Sequence, residues 1–452
     1  MRPFRFAAAV LLGGLLTTAP AVAQTATKWV TAWAAADQGP YPTGNVPTQP
    51  MLPLAFPTPA QGATDQSFRM IVRPDIWGYQ GRLRFSNVFG TQPVTLDGVY
   101  VGLQLSAGAL VPRSNRAVAF KGRRSVTIAP GESVWSDPVA FGFVGYTQSP
   151  QILGRRLAVS FHVDGSSGPM TWHAAAHTSS YLGDPGGGAH GQAEDDAAFP
   201  NLTQSWFFLD AVDVRAPADT MLVAAFGDSI TDGTGSTLNG DDRWPDVLSR
   251  RLHAAFGERV AVVDEGIGGN RIIGPESYAP DHPSSGGPSA EQRVDRDVLG
   301  LSGLGAVVWL EGINDLAAGA TPEALAAGMK QVADRLRAGA KGVRIIAGTL
   351  TSSLGNAGPH GTAEVDRQRR ALNQFIHLSD SFDAVADFDA ATLDAQTGRL
   401  RAAFVPGDPG DGLHPNRAGY LAMGQAVDLK LLAPPTPRTA PTPSPAAEPA
   451  PQ

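Results

Sequence analysis

The chain has 452 residues, a formal net charge of −7 and no cysteine. That length exceeds one ordinary hydrophobic core and calls for two domains with appendages. The modest negative charge, with no lysine- or arginine-rich run, argues against nucleic acid or an anionic membrane as partner, and the missing thiols exclude disulfides, thiolate metal sites and a cysteine nucleophile.

Arg2 and Arg5, an apolar core from Phe6 to Leu16 and the small residues Ala21-Val22-Ala23 read as a secretory signal, residues 1–23. The apolar run is too short to span a bilayer comfortably, and no later segment is long enough either. A mature chain beginning near Gln24 is therefore expected to be soluble, in the periplasm or outside the cell. No lipidated cysteine tethers it.

From Lys28 to about Val214 the hydrophobic pattern alternates with period two between turn clusters. Val99-Val101-Leu103-Leu105 and Leu157-Val159-Phe161-Val163 each place apolar residues on one face, and Phe68-Met70-Val72, Leu83-Phe85 and Val126-Ile128 repeat the signal. This predicts a β-sandwich of jelly-roll type over 24–217, with a Gly- and Asp-rich loop at 182–202 and a boundary near Arg215 to Asp219. Trp29, Trp33, Trp77, Trp135, Trp172 and Trp206 either line a sugar-binding face or, as their area favours, pack in the core and between domains. His162, His173 and His177 lack a matching carboxylate cluster and are read as structural, so no metal is expected.

The apolar run Met221-Leu222-Val223-Ala224-Ala225 then predicts a buried parallel strand leading into Phe226-Gly227-Asp228-Ser229-Ile230-Thr231-Asp232-Gly233. Gly227 permits a sharp turn, and Ser229 falls at the start of the next helix, where free N–H groups and the helix dipole favour a nucleophile and a developing oxyanion. Alone, Asp and Ser there are ordinary helix caps.

A helix after Arg243-Trp244-Pro245 and a strand Val260–Val263 precede Glu265-Gly266-Ile267-Gly268-Gly269-Asn270-Arg271. Arg271 at the third glycine position breaks a dinucleotide fingerprint, and a Gly269 N–H pointing into a cleft is the better use of these glycines. A loop from Ile272 to Pro288 borders that cleft. Strand Ala306–Leu310 ends in Glu311-Gly312-Ile313-Asn314-Asp315, which brings Asn314 level with Ser229 in a parallel sheet. Helices at 289–299, 322–338, 363–378 and 416–432 and strands at 343–347 and 385–388 complete an α/β alternation. In Asp411-Gly412-Leu413-His414 a single turn brings the carboxylate to the imidazole Nδ1 and leaves Nε2 free. From 434 the Pro-, Ala- and Thr-rich composition predicts a disordered tail.

Taken together, Gly227-Asp228-Ser229, Gly269 with Asn270, Gly312-Ile313-Asn314-Asp315 and Asp411-Gly412-Leu413-His414 resemble, in order and placement, the blocks of the SGNH hydrolases, also called GDSL esterases and lipases. The resemblance covers 221 to about 432, with Ile230 where leucine is common. It implies a flavodoxin-like three-layer αβα domain over 218–433 and a serine ester hydrolase needing no cofactor. By position Ser229 is the nucleophile, His414 the base, Asp411 its orienting acid, and the Ser229 N–H, Gly269 N–H and Asn314 amide the oxyanion hole. The β-rich front resembles that of extracellular members acting on carbohydrate, so a short-chain acetyl ester on a small molecule or polysaccharide is the expected substrate. The alternatives are a lipase or arylesterase for hydrophobic esters and, from another class, a non-catalytic carbohydrate-binding protein.

Rival constellations are weaker. A Gly-x-Ser-x-Gly elbow is absent. Asp387, Asp389 and Asp394 lack the Gly and Glu of a calcium loop, and Glu311 has no placeable partner for glycoside hydrolysis. His253, His282, His360 and His377 are expected to be surface or packing residues. Self-association has no signature.

Overall fold

The computed structural model describes residues 26–144, 152–275, 283–407 and 410–435. The expected signal segment, the tail from 436 and residues 276–282 of the cleft loop, with His282, lie outside the described residues.

The period-two segments form antiparallel strands. Thr27–Ala34, Leu209–Pro217 and Gln80–Ser86 lead a five-stranded sheet, while Thr64–Val72, Leu157–Ser166 and Val94–Ser106 lead an eight-stranded one. Phenylalanines fill the space between them: Phe68 stacks on Phe161 with centroids 5.0 Å apart, and Phe85 meets Phe161 edge-on at 5.3 Å. A small three-stranded sheet of Gly39–Pro40, Thr171–His173 and Trp206–Phe207 lies alongside.

Pro217 ends the last front strand, and at Met221 the pattern changes to a parallel sheet. Its strands run Val260–Gly266, Met221–Gly227, Leu304–Leu310, Arg344–Gly348, Ala384–Ala386, which is second, first, third, fourth, fifth in chain order. In the first strand Leu222, Ala224 and Phe226 pack to one side with Leu325, Met329 and Leu372 from helices Pro322–Gly339 and Ala363–Leu378. Val223 and Ala225 pack to the other with Leu248 and Met423 from helices Trp244–Phe256 and Arg417–Ala426. Burial on both faces is why these strands read as unbroken apolar runs.

Strand register aligns the turns that leave this sheet. Gly227 pairs with Gly266 on one side and Leu310 on the other, so the three strand ends are level. The order reverses between the first and third strands, and turns leaving the sheet at that switch point share one crevice.

Three helical segments differ from expectation. The segment at 289–299 is helical only over Ala290–Val294 before widening into a π turn, Asp295–Leu299. The closing helix stops at Ala426, followed by a short turn at Leu429–Leu432. Phe388 begins a helix rather than ending a strand, because the Asp387 side chain accepts the Ala390 N–H as a cap.

The halves share one apolar cluster reaching from Phe68 and Phe85 to Leu222 and Trp309. Polar contacts add to it: Thr31 N–H donates to Ser302 O at 2.9 Å, and Asp75 accepts from the Val262 N–H at 2.6 Å and from the Ser249 hydroxyl. The tryptophans are spent on packing. Trp33, Trp77, Trp172 and Trp206 are buried, while the Arg82 guanidinium covers both Trp29 and Trp135.

Candidate active site

A Cβ at Gly227 would stand 2.2 Å from the Leu310 carbonyl, so only glycine lets the chain leave the sheet here. Asp228 follows in extended conformation, and its carboxylate caps the next turn by accepting the Ile230 N–H at 3.0 Å. Burial pushes the Asp228 carboxyl up to about 7 in spite of that bond. The helix opened by Ser229 is a single turn, Ser229–Asp232, closed by Gly233 at φ 105°. The dipole expected beside Ser229 is therefore that of one turn only, whose N–H groups from Ile230 to Asp232 are taken up by Asp228, and the unpaired donor at its start is the Ser229 N–H.

Ser229 Oγ lies 2.9 Å from His414 Nε2, and His414 Nδ1 lies 2.5 Å from Asp411 Oδ2. The other carboxylate oxygen, Oδ1, accepts the N–H groups of Leu413 and His414, each at 2.9 Å. Partial burial raises the Asp411 carboxyl, but its bonds to His414 and to these backbone groups outweigh burial and hold it at about 2. An ionised Asp411 accepts the Nδ1 proton, which leaves the Nε2 lone pair facing the Ser229 hydroxyl. The structure thus brings together three residues separated by up to 185 positions.

The second turn, Ile267–Asn270, is closed by the Asn270 N–H on the Ile267 carbonyl, with Gly269 at φ 82°. Among the described residues neither the Ser229 nor the Gly269 N–H donates to another group. The Asn270 side chain faces away from Ser229's crevice. Its amide donates to the Gly286 and Pro288 carbonyls, and its oxygen accepts from Arg293 Nε at 2.8 Å.

Asn314 stands at the third strand end with Nδ2 2.9 Å from the Asn270 carbonyl. A carbonyl only accepts, so Nδ2 must face it and Oδ1 must face outward. There His360 Nε2 lies 3.0 Å from Oδ1 and donates to it, which leaves the second Nδ2 proton free. Burial, then the nearby His414 and Arg271, push the His360 imidazole down, so it serves as a neutral donor.

Two contributors escape sequence reasoning. His360, expected as a surface or packing residue, fixes the Asn314 amide; an acidic neighbour at triad spacing is the usual sign of a working histidine, whereas the partner here is an amide. Arg293 is fully buried and donates to the carbonyls of Gly227 and Glu265, each at 2.8 Å, as well as to Asn270. One guanidinium thereby ties the nucleophile turn to the glycine turn.

The rival residues are occupied elsewhere. Glu311 is fully buried, accepts from Trp309 Nε1 at 2.8 Å and is pushed up to about 7 by burial. Asp387 caps its helix, Asp389 pairs with Arg369 at 2.8 Å and Asp394 closes a turn. No group of three metal-ligating side chains occurs among the described residues. His253 donates to the Val260 carbonyl and faces Asp75, while His377 lies 3.5 Å from Asp387 on the surface. A hollow of about 710 Å³ beside Asp411, lined by Asn356 and Arg399 among others, touches neither Ser229 nor His414.

Residues 225–422 match the family described as GDSL-like lipase/acylhydrolase. No curated protein matches the chain. Among solved structures, a carbohydrate acetylesterase family member from Sinorhizobium meliloti is 20% identical, with 47% of this chain and 97% of that one covered and a TM-score of 0.37. The native aryl esterase of M. smegmatis is 19% identical, over 46% of this chain and 96% of that one, with a TM-score of 0.34. A member of the lipolytic protein G-D-S-L family from Veillonella parvula is 17% identical over the same shares, again with a TM-score of 0.34.

Proposed function

With an SGNH hydrolase domain of the GDSL-like lipase/acylhydrolase family in its C-terminal half, this chain is a carboxylic ester hydrolase, and we propose that it removes short acyl groups, acetyl foremost, from carbohydrate outside the cytoplasm. The observation that carries the catalytic assignment is the 2.9 Å approach of Ser229 Oγ to His414 Nε2 with Asp411 2.5 Å behind the ring.

In this reading Ser229 Oγ attacks the ester carbonyl carbon while His414 Nε2 takes its proton. The carbonyl oxygen gains negative charge and is met by the Ser229 N–H, the Gly269 N–H and the free Asn314 proton. Collapse breaks the bond to the alcohol, which leaves with the proton from Nε2. Water, deprotonated by the same nitrogen, then attacks the acyl-enzyme and releases the acid, restoring the Ser229 hydroxyl. Asp411 stays ionised throughout and stabilises the imidazolium.

The polar character of the crevice supports a short acyl chain and a hydrophilic alcohol. Asn45 donates to the Gly268 carbonyl and His360 holds Asn314, so amide and imidazole groups border these turns, and among the described residues the large exposed apolar side chains, such as Leu54, Leu105 and Leu378, are far apart in sequence. The buried or cation-covered tryptophans mean that sugar recognition does not rest on a tryptophan platform in the front half.

Hydrolysis of p-nitrophenyl acetate by wild type and Ser229→Ala tests the catalytic assignment. Loss to background in the variant is expected, and equal rates would overturn it. A panel of acetylated xylan, pectin, peptidoglycan and aryl or lipid esters then tests the substrate. Preference for long-chain or aryl esters over every acetylated glycan would replace the carbohydrate reading with that of a lipase or arylesterase.

A further inference from the structure

Gly268 is gripped at both ends. Its N–H donates to Asp232 Oδ2 at 3.1 Å, and its carbonyl accepts from Asn45 Nδ2 at 2.7 Å. Asn45 belongs to the β-rich half, in the segment between the strand Gly39–Pro40 and the short helix Leu52–Ala55. Asp232 in turn meets the front half, since His173 Nε2 lies 3.2 Å from its Oδ1 while His173 Nδ1 donates to the Ala36 carbonyl at 2.9 Å.

The Gly268 carbonyl and the Gly269 N–H are opposite ends of one planar trans peptide, so they point in opposite directions. A donor fixed on the carbonyl sets the direction of the N–H, and by drawing charge toward oxygen it makes that N–H a stronger donor. The fit allows no side chain between them: a Cβ on Gly269 would stand 2.3 Å from Asn45 Nδ2.

We infer that Asn45 is a positioning residue of the oxyanion site, so that the β-rich half completes the catalytic centre by aiming the Gly269 N–H. This rests on Gly269 being an oxyanion donor, as proposed above. Asn45 touches no reacting atom in this role. It acts through the peptide plane, and Asp232 with His173 holds the preceding peptide of the same turn. Removing the amide lets that plane rotate, and misdirecting one donor costs transition-state binding while leaving ground-state binding nearly intact.

The test compares Asn45→Ala, Asn45→Asp, Asn314→Ala and Ser302→Ala on p-nitrophenyl acetate, with phenylboronic acid as a tetrahedral analogue. Ser302→Ala removes a hydrogen bond between the halves, from Ser302 Oγ to Asp213 at 2.7 Å, beside the opposite end of the parallel sheet. Asn45→Ala should lower kcat by about ten- to a hundredfold, keep KM within about twofold and weaken boronate binding by the same factor as kcat. Asn45 is exposed, so the melting temperature should hold. Asn45→Asp, which sets a carboxylate against the carbonyl, should be slower still at pH 8, and Ser302→Ala should match wild type. Wild-type kcat and boronate affinity in Asn45→Ala beside a slow Asn314→Ala would overturn the role of Asn45 alone. Full speed in both would overturn the oxyanion reading and this inference with it. An equal loss in Ser302→Ala would assign the effect to loosening of the interface and also overturn it.

Discussion

The front and rear halves hold similar side chains and use them differently. In the front sandwich His162 is gripped by Asp97 at 2.7 Å and Asp65 at 2.8 Å, Trp29 and Trp135 lie under Arg82, and Asp213 accepts from Thr31, Arg82 and Ser302. Both His162 nitrogens and both Asp213 oxygens are thereby spent. At the carboxyl edge of the parallel sheet the Ser229 N–H, the Gly269 N–H and one Asn314 proton remain unspent beside an activated hydroxyl. A histidine with an aspartate occurs in both halves. In the proposed reading the reactive one is marked by hydrogen-bonding capacity left over on the turns around it.

The largest expected break in that contrast is Asp411→Asn. An amide in place of the carboxylate can donate to Nδ1, which moves the imidazole proton to Nε2 and removes the lone pair that Ser229 needs. We expect kcat on p-nitrophenyl acetate to fall by about 10²- to 10⁴-fold with little change in KM. Asn314→Ala comes next. It deletes one of the three donors proposed for the oxyanion, so kcat should fall by about 10²- to 10³-fold, again at nearly constant KM. A rise in KM with unchanged kcat would mean that Asn314 binds substrate rather than the developing charge.

Much of the rear half was legible because its features are local. The apolar runs, the Gly227-Asp228-Ser229 turn and the three-residue spacing of Asp411 and His414 each declare themselves within a few residues. The supporting residues are visible only in space: Arg293 reaches Gly227 across 66 positions, His360 reaches Asn314 across 46 and Asn45 reaches Gly268 across 223. In sequence Arg293 is an ordinary helical arginine and Asn45 a loop residue between prolines. The Phe388 error has a different cause, since an apolar run continues into the helix and only the Asp387 cap divides it. The dipole expected behind Ser229 fell short because Gly233 ends the helix after one turn.

His360 offers a smaller test of the same contrast. His360→Phe removes the donor on Asn314 Oδ1 and should reduce kcat by about tenfold, a change typical of a residue supporting a catalytic group. His360→Gln, which can donate from its amide, should recover most of the rate. In the front half, His162→Gln should leave kcat within about twofold while lowering unfolding stability by about 1–3 kcal/mol in urea titrations. A comparable kinetic loss there would erase the distinction between spent and unspent groups.

His173 joins the two halves, and its effect on activity should be the smallest while its effect on pH dependence is specific. Burial alone would lower its pKa, but the charge and hydrogen bond of Asp232, 3.2 Å away, and the Ala36 carbonyl outweigh burial and raise it. A histidine protonated more readily in the folded than in the unfolded chain stabilises the fold fully below its unfolded pKa of about 6.5, and that stability is lost as pH rises through the folded value. Urea midpoints of wild type should therefore fall from pH 6 to pH 9 by more than those of His173→Gln, which cannot titrate. Parallel loss in both proteins would show that the bond to Asp232 does not depend on the imidazolium charge. The grip on Gly268 would then rest on the neutral hydrogen bond and on Asn45, and the rear half's unspent N–H would be held without electrostatic help from the front.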